Sequence, residues 1–188
     1  MRATMGHPTR IEGFAIVSQD GMLAAADGVM PDSLKFEADQ QFFRDGLDRC
    51  VAAVHGRHSH EMQPHSGKRA RLWVTARVSG IEREDTSPPS VLWNPQGATF
   101  EQAWDALGVD GALGVVGGTT VFGMFLPLYD IFHLTRAPGL KLPGGRPVFP
   151  GVPAQSPEQT MTKAGLREGK TRVLDARHDL TVTEWRRR

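Results

Sequence analysis

Residues 114–126, "GVVGGTTVFGMFL", carry most of the information about the fold. An apolar run stops at two adjacent glycines and then resumes as "TTVFGMFL", which reads as the opening of a helix. Gly-Gly at the end of a buried strand adds backbone entropy and removes packing. Two readings account for it. Either the pair is a plain structural turn, or a flat or charged molecule approaches the backbone there.

Outward from this stretch the chain alternates strand and helix signals. "EGFAIVSQDGMLA" gives a strand at 13–18, followed by a polar loop through "AADGVMPDS". "SLKFEADQQFFRDGLDR" reads as a helix with Ser33 as N-cap and Leu34, Phe36, Ala38, Phe42, Phe43 and Leu47 on its apolar side. "CVAAVH" is a short buried strand, and "GRHSHEM" a turn into a short helix. "ARLWVTARVSG" is a third strand, followed by the Pro-rich loop "EDTSPPS" and a short strand "VLWNP". "TFEQAWDALG" is an amphipathic helix capped by Thr99. After the opening stretch come the strand "DIFHLTRAP", a long Pro/Gly loop at 139–158, and a tail that alternates as two antiparallel strands. No repeat or linker interrupts the pattern. It predicts a single α/β domain over 1–188, with a central mixed, mainly parallel sheet flanked by helices and antiparallel C-terminal strands.

Composition bounds the function. The 188 residues carry a net charge of +1, which gives no electrostatic footprint for nucleic acid or an acidic membrane, and the terminal "RRR" reads as a solvated tail. A single cysteine, Cys50, excludes an intramolecular disulfide framework and reads as a small buried hydrophobe. No apolar run approaches the ~20 residues that span a bilayer, and the start lacks a signal-peptide core, so a cytoplasmic location is expected.

In a parallel sheet, ligands bind outside the carboxyl ends of the strands. Several unusual segments fall at such ends: "HGRHS", "TARVSG" and "GGTT". Backbone N–H groups at a glycine turn suit a phosphate. Arg57 and Arg77 add fork-shaped donors, and Ser59 and Thr75 add hydroxyls. Together they describe a phosphorylated cofactor lying across the strand ends. Competing readings are weaker. His55, His58, His60 and His65 with Glu61 do not share one helix face, so they make no metal site. Ser59, His58 and Asp85 lack the context of a hydrolytic triad. Trp73, Trp93, Trp104 and Trp185 read as core. On residue type alone, Asp39 is equally a polar residue on the exposed side of its helix.

The series "ADQQFF…GRHSHE…VTAR…VVGGTTVFGMFLPLYDIFHLT…VFP" resembles the dihydrofolate reductase superfamily, in the family order, over about 13–150. The resemblance implies that fold and NADPH as cofactor. It implies Gly117, Gly118, Thr119 and Thr120 along the pyrophosphate, with Val116, Val121 and Phe122 close by. Arg57, His58 and Ser59 match the turn that holds the diphosphate and adenosine phosphate. Thr75, Ala76 and Arg77 match the second loop, with Arg77 toward the adenosine 2′-phosphate. Ala15 and Ile16 would approach the nicotinamide and pterin. Asp39 matches the substrate-binding carboxylate, Thr135 the hydroxyl supporting it, Phe43 a residue packed on the pterin, and Arg69 the arginine that grips the folate tail.

The implied activity is hydride transfer to a pterin-like small molecule, by a monomer or homodimer. One departure bears on the substrate. The loop "GVMPDSLKFEAD" lacks the family's Pro-Trp pair, while "SQDGMLA" is similar to the opening of riboflavin-biosynthesis reductase domains, a sister branch. Reduction of a ribosylamino-pyrimidine and nucleotide binding without chemistry therefore stand as alternatives.

Overall fold

The computed structural model describes residues 6–58 and 66–188. The first strand, β1 (Arg10–Ser18), begins three residues before the sequence expectation, and β2 (Met22–Ala24) follows it. Helix α1 (Glu37–Leu47) leads to β3 (Ala52–Gly56), β4 (Ala70–Val74), β5 (Ile81–Glu84) and β6 (Ser90–Trp93). Then come α2 (Phe100–Leu107), β7 (Ala112–Gly117), α3 (Thr119–Met124) and β8 (Ile131–Ala137). The chain closes with β9 (Arg146–Pro147), α4 (Pro157–Lys163), β10 (Leu166–Asp175) and β11 (Leu180–Arg187).

Among the described residues, nine strands form one sheet in the order β10-β11-β8-β1-β7-β3-β4-β6-β5, and β2 pairs with β9 apart from it. The six strands from β8 to β6 run parallel; β11, β10 and β5 are antiparallel to their neighbours. The expected mainly parallel sheet with antiparallel C-terminal strands is what the chain forms. Among the described residues, no helix is long and apolar enough to cross a membrane.

Local sequence explains several boundaries. Thr99 caps α2 as expected: its hydroxyl accepts from Gln102 N–H while Gln102 returns a bond to the Thr99 backbone, and Gly108 ends the helix at φ 71°. The same device, Ser156 with Gln159, starts α4 inside the stretch expected to be loop.

Ser33, by contrast, does not cap α1. It lies in a 3₁₀ turn, Asp32–Leu34, and Lys35 and Phe36 are too extended to continue it into a helix. Leu34 decides this, because its burial against Ile16, Ala137 and Leu180 draws the turn onto the sheet. The third strand also stops early, at Val74. The Asn94 side chain donates to the Val78 carbonyl at 2.9 Å and the Asn94 N–H to the Gly80 carbonyl at 2.7 Å, folding 76–80 back so that β5 can pair with β6.

The core lies on both sides of the central strands. On one side, Phe122, Tyr129, Phe132 and Phe149 pack edge to face around ring separations of 5.1–6.4 Å. Trp93, Trp104 and Trp185 are core as expected, but Trp73 is only partly buried, set edge-on against His55 at 4.3 Å. Cys50 is buried, and burial pushes its thiol up to about 12, in keeping with an inert hydrophobe. The C-terminal arginines are not simply a solvated tail. Arg187 donates to the carbonyls of Tyr129, Ala164 and Leu126, tying β11 to the segment between α3 and β8 and to the end of α4.

Candidate active site

A cavity of about 360 Å³ opens at the carboxyl ends of β1, β7 and β8, beneath α1. Its floor follows from strand periodicity. In β1, Glu12, Phe14 and Ile16 point to one face, and β8 pairs in register with Phe14 opposite His133 and Ile16 opposite Thr135. Helix α1 covers that face with Asp39, Phe42 and Phe43, spaced three and four residues apart. The close approach depends on Gly46, where a Cβ would meet the Phe14 ring at 2.3 Å. Phe14 is thereby clamped, stacked on His133 at 4.8 Å and edge-on to Phe42 and Phe43 at 6.3 and 6.0 Å.

Asp39 supplies the carboxylate on this floor. Burial pushes its carboxyl up to about 6, and hydrogen bonding from the buried Thr135 hydroxyl offsets only part of that rise. A carboxyl near 6 is mostly ionised at neutral pH yet close to exchanging its proton, which suits a partner that gains positive charge.

The opposite wall is the Gly-Gly turn. Gly117 ends β7 at φ 108°, and a Cβ there would lie 2.5 Å from the Phe122 ring, so backbone shape and space both demand glycine. The Gly117–Gly118 peptide is cis. Gly118 then faces the cavity, with Val116 and Phe122 beside it. The pair is a turn, and it presents bare backbone to the cavity.

Of the other sequence-derived site residues, Ala15, Ile16, Phe43 and His58 also line the cavity. Thr119, Thr120 and Val121 begin α3 just beyond its wall; the Thr119 hydroxyl donates to the Pro147 carbonyl, and Val121 is core. Arg57 and Arg77 are exposed. Gly56 pairs with Val74 across parallel strands, so Arg57 and the segment Thr75, Ala76, Arg77 leave the sheet side by side.

Ser59 lies outside the described residues, as do His60, Glu61 and His65. Among the described residues, no group of three His, Cys, Asp or Glu is placed to hold a metal. Arg69 is a correction. Its guanidinium is buried, donates to the Leu47 carbonyl at 2.8 Å and reaches Asp48 at 3.4 Å, so it ties the end of α1 to β4 rather than facing the cavity.

Sequence reasoning missed His133, Phe14 and Lys35. His133 had a signal: it stands two residues before Thr135 on a strand and so shares its face. Lys35, at the rim, bonds Asp32 at 2.8 Å.

No family model matches the chain, and no curated protein matches it. Solved structures do. A structure described as a riboflavin biosynthesis protein of Shewanella sp. PV-4 superposes with a TM-score of 0.66 at 21% identity, covering 96% of this chain and 99% of that one. Dihydrofolate reductase from Enterococcus faecalis, complexed with NADP(H) and RAB-propyl, gives 0.64 at 15% identity, covering 95% and 96%. A diaminohydroxyphosphoribosylaminopyrimidine deaminase/5-amino-6-(5-phosphoribosylamino)uracil reductase of Thermotoga maritima gives 0.60 at 15% identity; the match covers 96% of this chain and 57% of that one. The chain has the dihydrofolate reductase-like fold.

Proposed function

We propose that this chain is an NADPH-dependent reductase that delivers hydride to a conjugated C=N of a pterin-like heterocycle, with 7,8-dihydrofolate as the leading substrate. The observation that carries the reading is Asp39: a carboxylate pushed up to about 6, in a largely apolar cavity that the bare backbone of Gly118 also lines.

The residues fit the cofactor. Gly118 lines the cavity with bare backbone, which suits a phosphate. Arg57 and Arg77, exposed at neighbouring strand ends, suit the diphosphate and the 2′-phosphate. When bound, the nicotinamide supplies the hydride.

The chain's own part is positioning and charge. The Asp39 carboxylate holds the amidine-like edge of the ring and favours its protonated form. Thr135 keeps that carboxylate oriented, and Phe43 and Ile16 flank the ring. Solvent is the eventual proton source.

A second reading, reduction of a ribosylamino-pyrimidine, is supported by the "SQDGMLA" segment and by the described function of the Shewanella neighbour. A turnover screen with NADPH separates the two. Consumption with dihydrofolate supports the first, consumption with the ribosylamino-pyrimidine the second, and cofactor binding with neither consumed points to a non-catalytic nucleotide binder.

A further inference from the structure

The floor holds a second buried polar group that the reading above does not use. His133 is 7% exposed and lines the cavity two residues before Thr135 on β8. Its Nε2–H donates to Glu12 Oε2 at 2.9 Å, and Glu12, 2% exposed, also accepts from the Arg10 guanidinium. Burial alone would raise the Glu12 carboxyl, but the bonds from His133 and Arg10 outweigh it and hold Glu12 below its ordinary range. Glu12 therefore stays an anion and fixes which ring nitrogen carries the proton.

The other nitrogen, Nδ1, has no hydrogen-bond partner among the described residues. It is not sealed off either, since Trp185 Nε1 is the enclosed side-chain polar atom among them that lacks a partner. A neutral imidazole that donates through Nε2 leaves Nδ1 as an acceptor. The Phe14 stack and the Phe42 edge hold the ring in place.

We infer that His133, oriented by Glu12, is a specificity-determining residue whose Nδ1 accepts from a ring amino group, so that the cavity selects 2-amino heterocycles over their 2-oxo counterparts. This rests on the proposed role of Asp39 and narrows it. Along the buried edge of the substrate the floor presents the Asp39 carboxylate and, about 7 Å further down β8 from Thr135, the His133 acceptor. An amidine edge with an exocyclic amino group offers N–H donors to both. A carbonyl at the same ring position would set acceptor against acceptor.

Calorimetry on the full chain with 2,4-diaminopyrimidine and uracil as probes, at pH 8, tests the inference. The native protein is expected to prefer the diaminopyrimidine. The double variant His133→Phe/Glu12→Gln keeps an aromatic ring and leaves no unpaired buried charge. It should bind the diaminopyrimidine about three- to tenfold more weakly, the size of one neutral hydrogen bond, with uracil no weaker than before. In parallel, ¹⁵N spectra of labelled histidine should show His133 protonated at Nε2 and its Nδ1 signal moving when the diaminopyrimidine binds. Unchanged probe preference in the double variant, or a protonated and unresponsive Nδ1, overturns the inference while leaving Asp39 in place. If Asp39→Asn binds the diaminopyrimidine as tightly as the native chain, the reading of the site fails, and this inference fails with it.

Discussion

The two walls of the cavity are built on opposite plans. Under α1, the lining is made of side chains: the buried Thr135 and His133 and the half-buried Asp39, with His133 clamped by Phe14 and Phe42. Elsewhere the lining is bare backbone at Gly118, and exposed arginines follow the ends of β3 and β4. Buried polar groups discriminate strongly because leaving one unpaired is costly. Exposed charges attract a phosphate but are softened by water and salt. Under the proposed function, the α1 wall would decide which ring is accepted, and the glycine wall would admit a phosphorylated cofactor with less selectivity.

The largest effect should come from the α1 wall. Asp39→Asn keeps the shape but removes the charge that favours protonation, so hydride transfer should fall by about 10²–10⁴-fold in single-turnover kinetics. NADPH affinity, measured separately, should be nearly unchanged. A parallel loss of cofactor binding would break the division between the walls.

The same substitution should stabilise the fold. Well below pH 3.8 the Asp39 carboxyl is protonated in both folded and unfolded chains. Between its ordinary value of 3.8 and about 6 the unfolded chain gives up the proton while the folded chain keeps it. Stability is thus lost as pH rises through that window, and above it the native chain bears the full burden of a buried anion. Asp39→Asn should gain up to about 3 kcal/mol at pH 7.5 and almost nothing at about pH 3, as read by denaturant titration at both values. Binding of 2,4-diaminopyrimidine should weaken as pH falls through about 6, and Asp39→Asn should lack that step.

On the glycine wall, Gly118→Val should cut NADPH affinity by about 30-fold or more, because its side chain occupies the approach to the backbone. Thermal unfolding of the variant, run alongside, should show a folded protein. Undiminished NADPH affinity in that variant would remove the cofactor from this wall. The smallest effect belongs to Arg77→Ala, which should narrow the preference for NADPH over NADH by about tenfold at low salt and less at high salt. A preference unaffected by salt would mean that a buried contact, rather than an exposed arginine, reads the 2′-phosphate.

Much of this was legible in the chain. Thr99 and Gln102 announced α2, alternation announced β10 and β11, and the Gly-Gly pair marked the turn from β7 into α3. Where the reading slipped, a distant contact had overruled a local preference. Ser33 is a good N-cap by type, but Leu34 is drawn to the sheet. Residues 75–80 look strand-like, but Asn94 folds them back. Arg69 matches, by resemblance, the arginine that grips a folate tail, yet its guanidinium binds the end of α1.

The sequence by itself determined the order of elements, the glycine pair that the turn at Gly117 requires, and the supply of ionisable groups. Those features depend on neighbours two to four residues apart, which periodicity and capping record directly. Only the tertiary structure decided which of those groups share a floor. Glu12 and His133 lie 121 residues apart and meet because β1 and β8 are in register, while Asp39 arrives on a helix that Gly46 lets settle onto Phe14. Register across a sheet is set by the whole core at once, and no short stretch of the chain contains it.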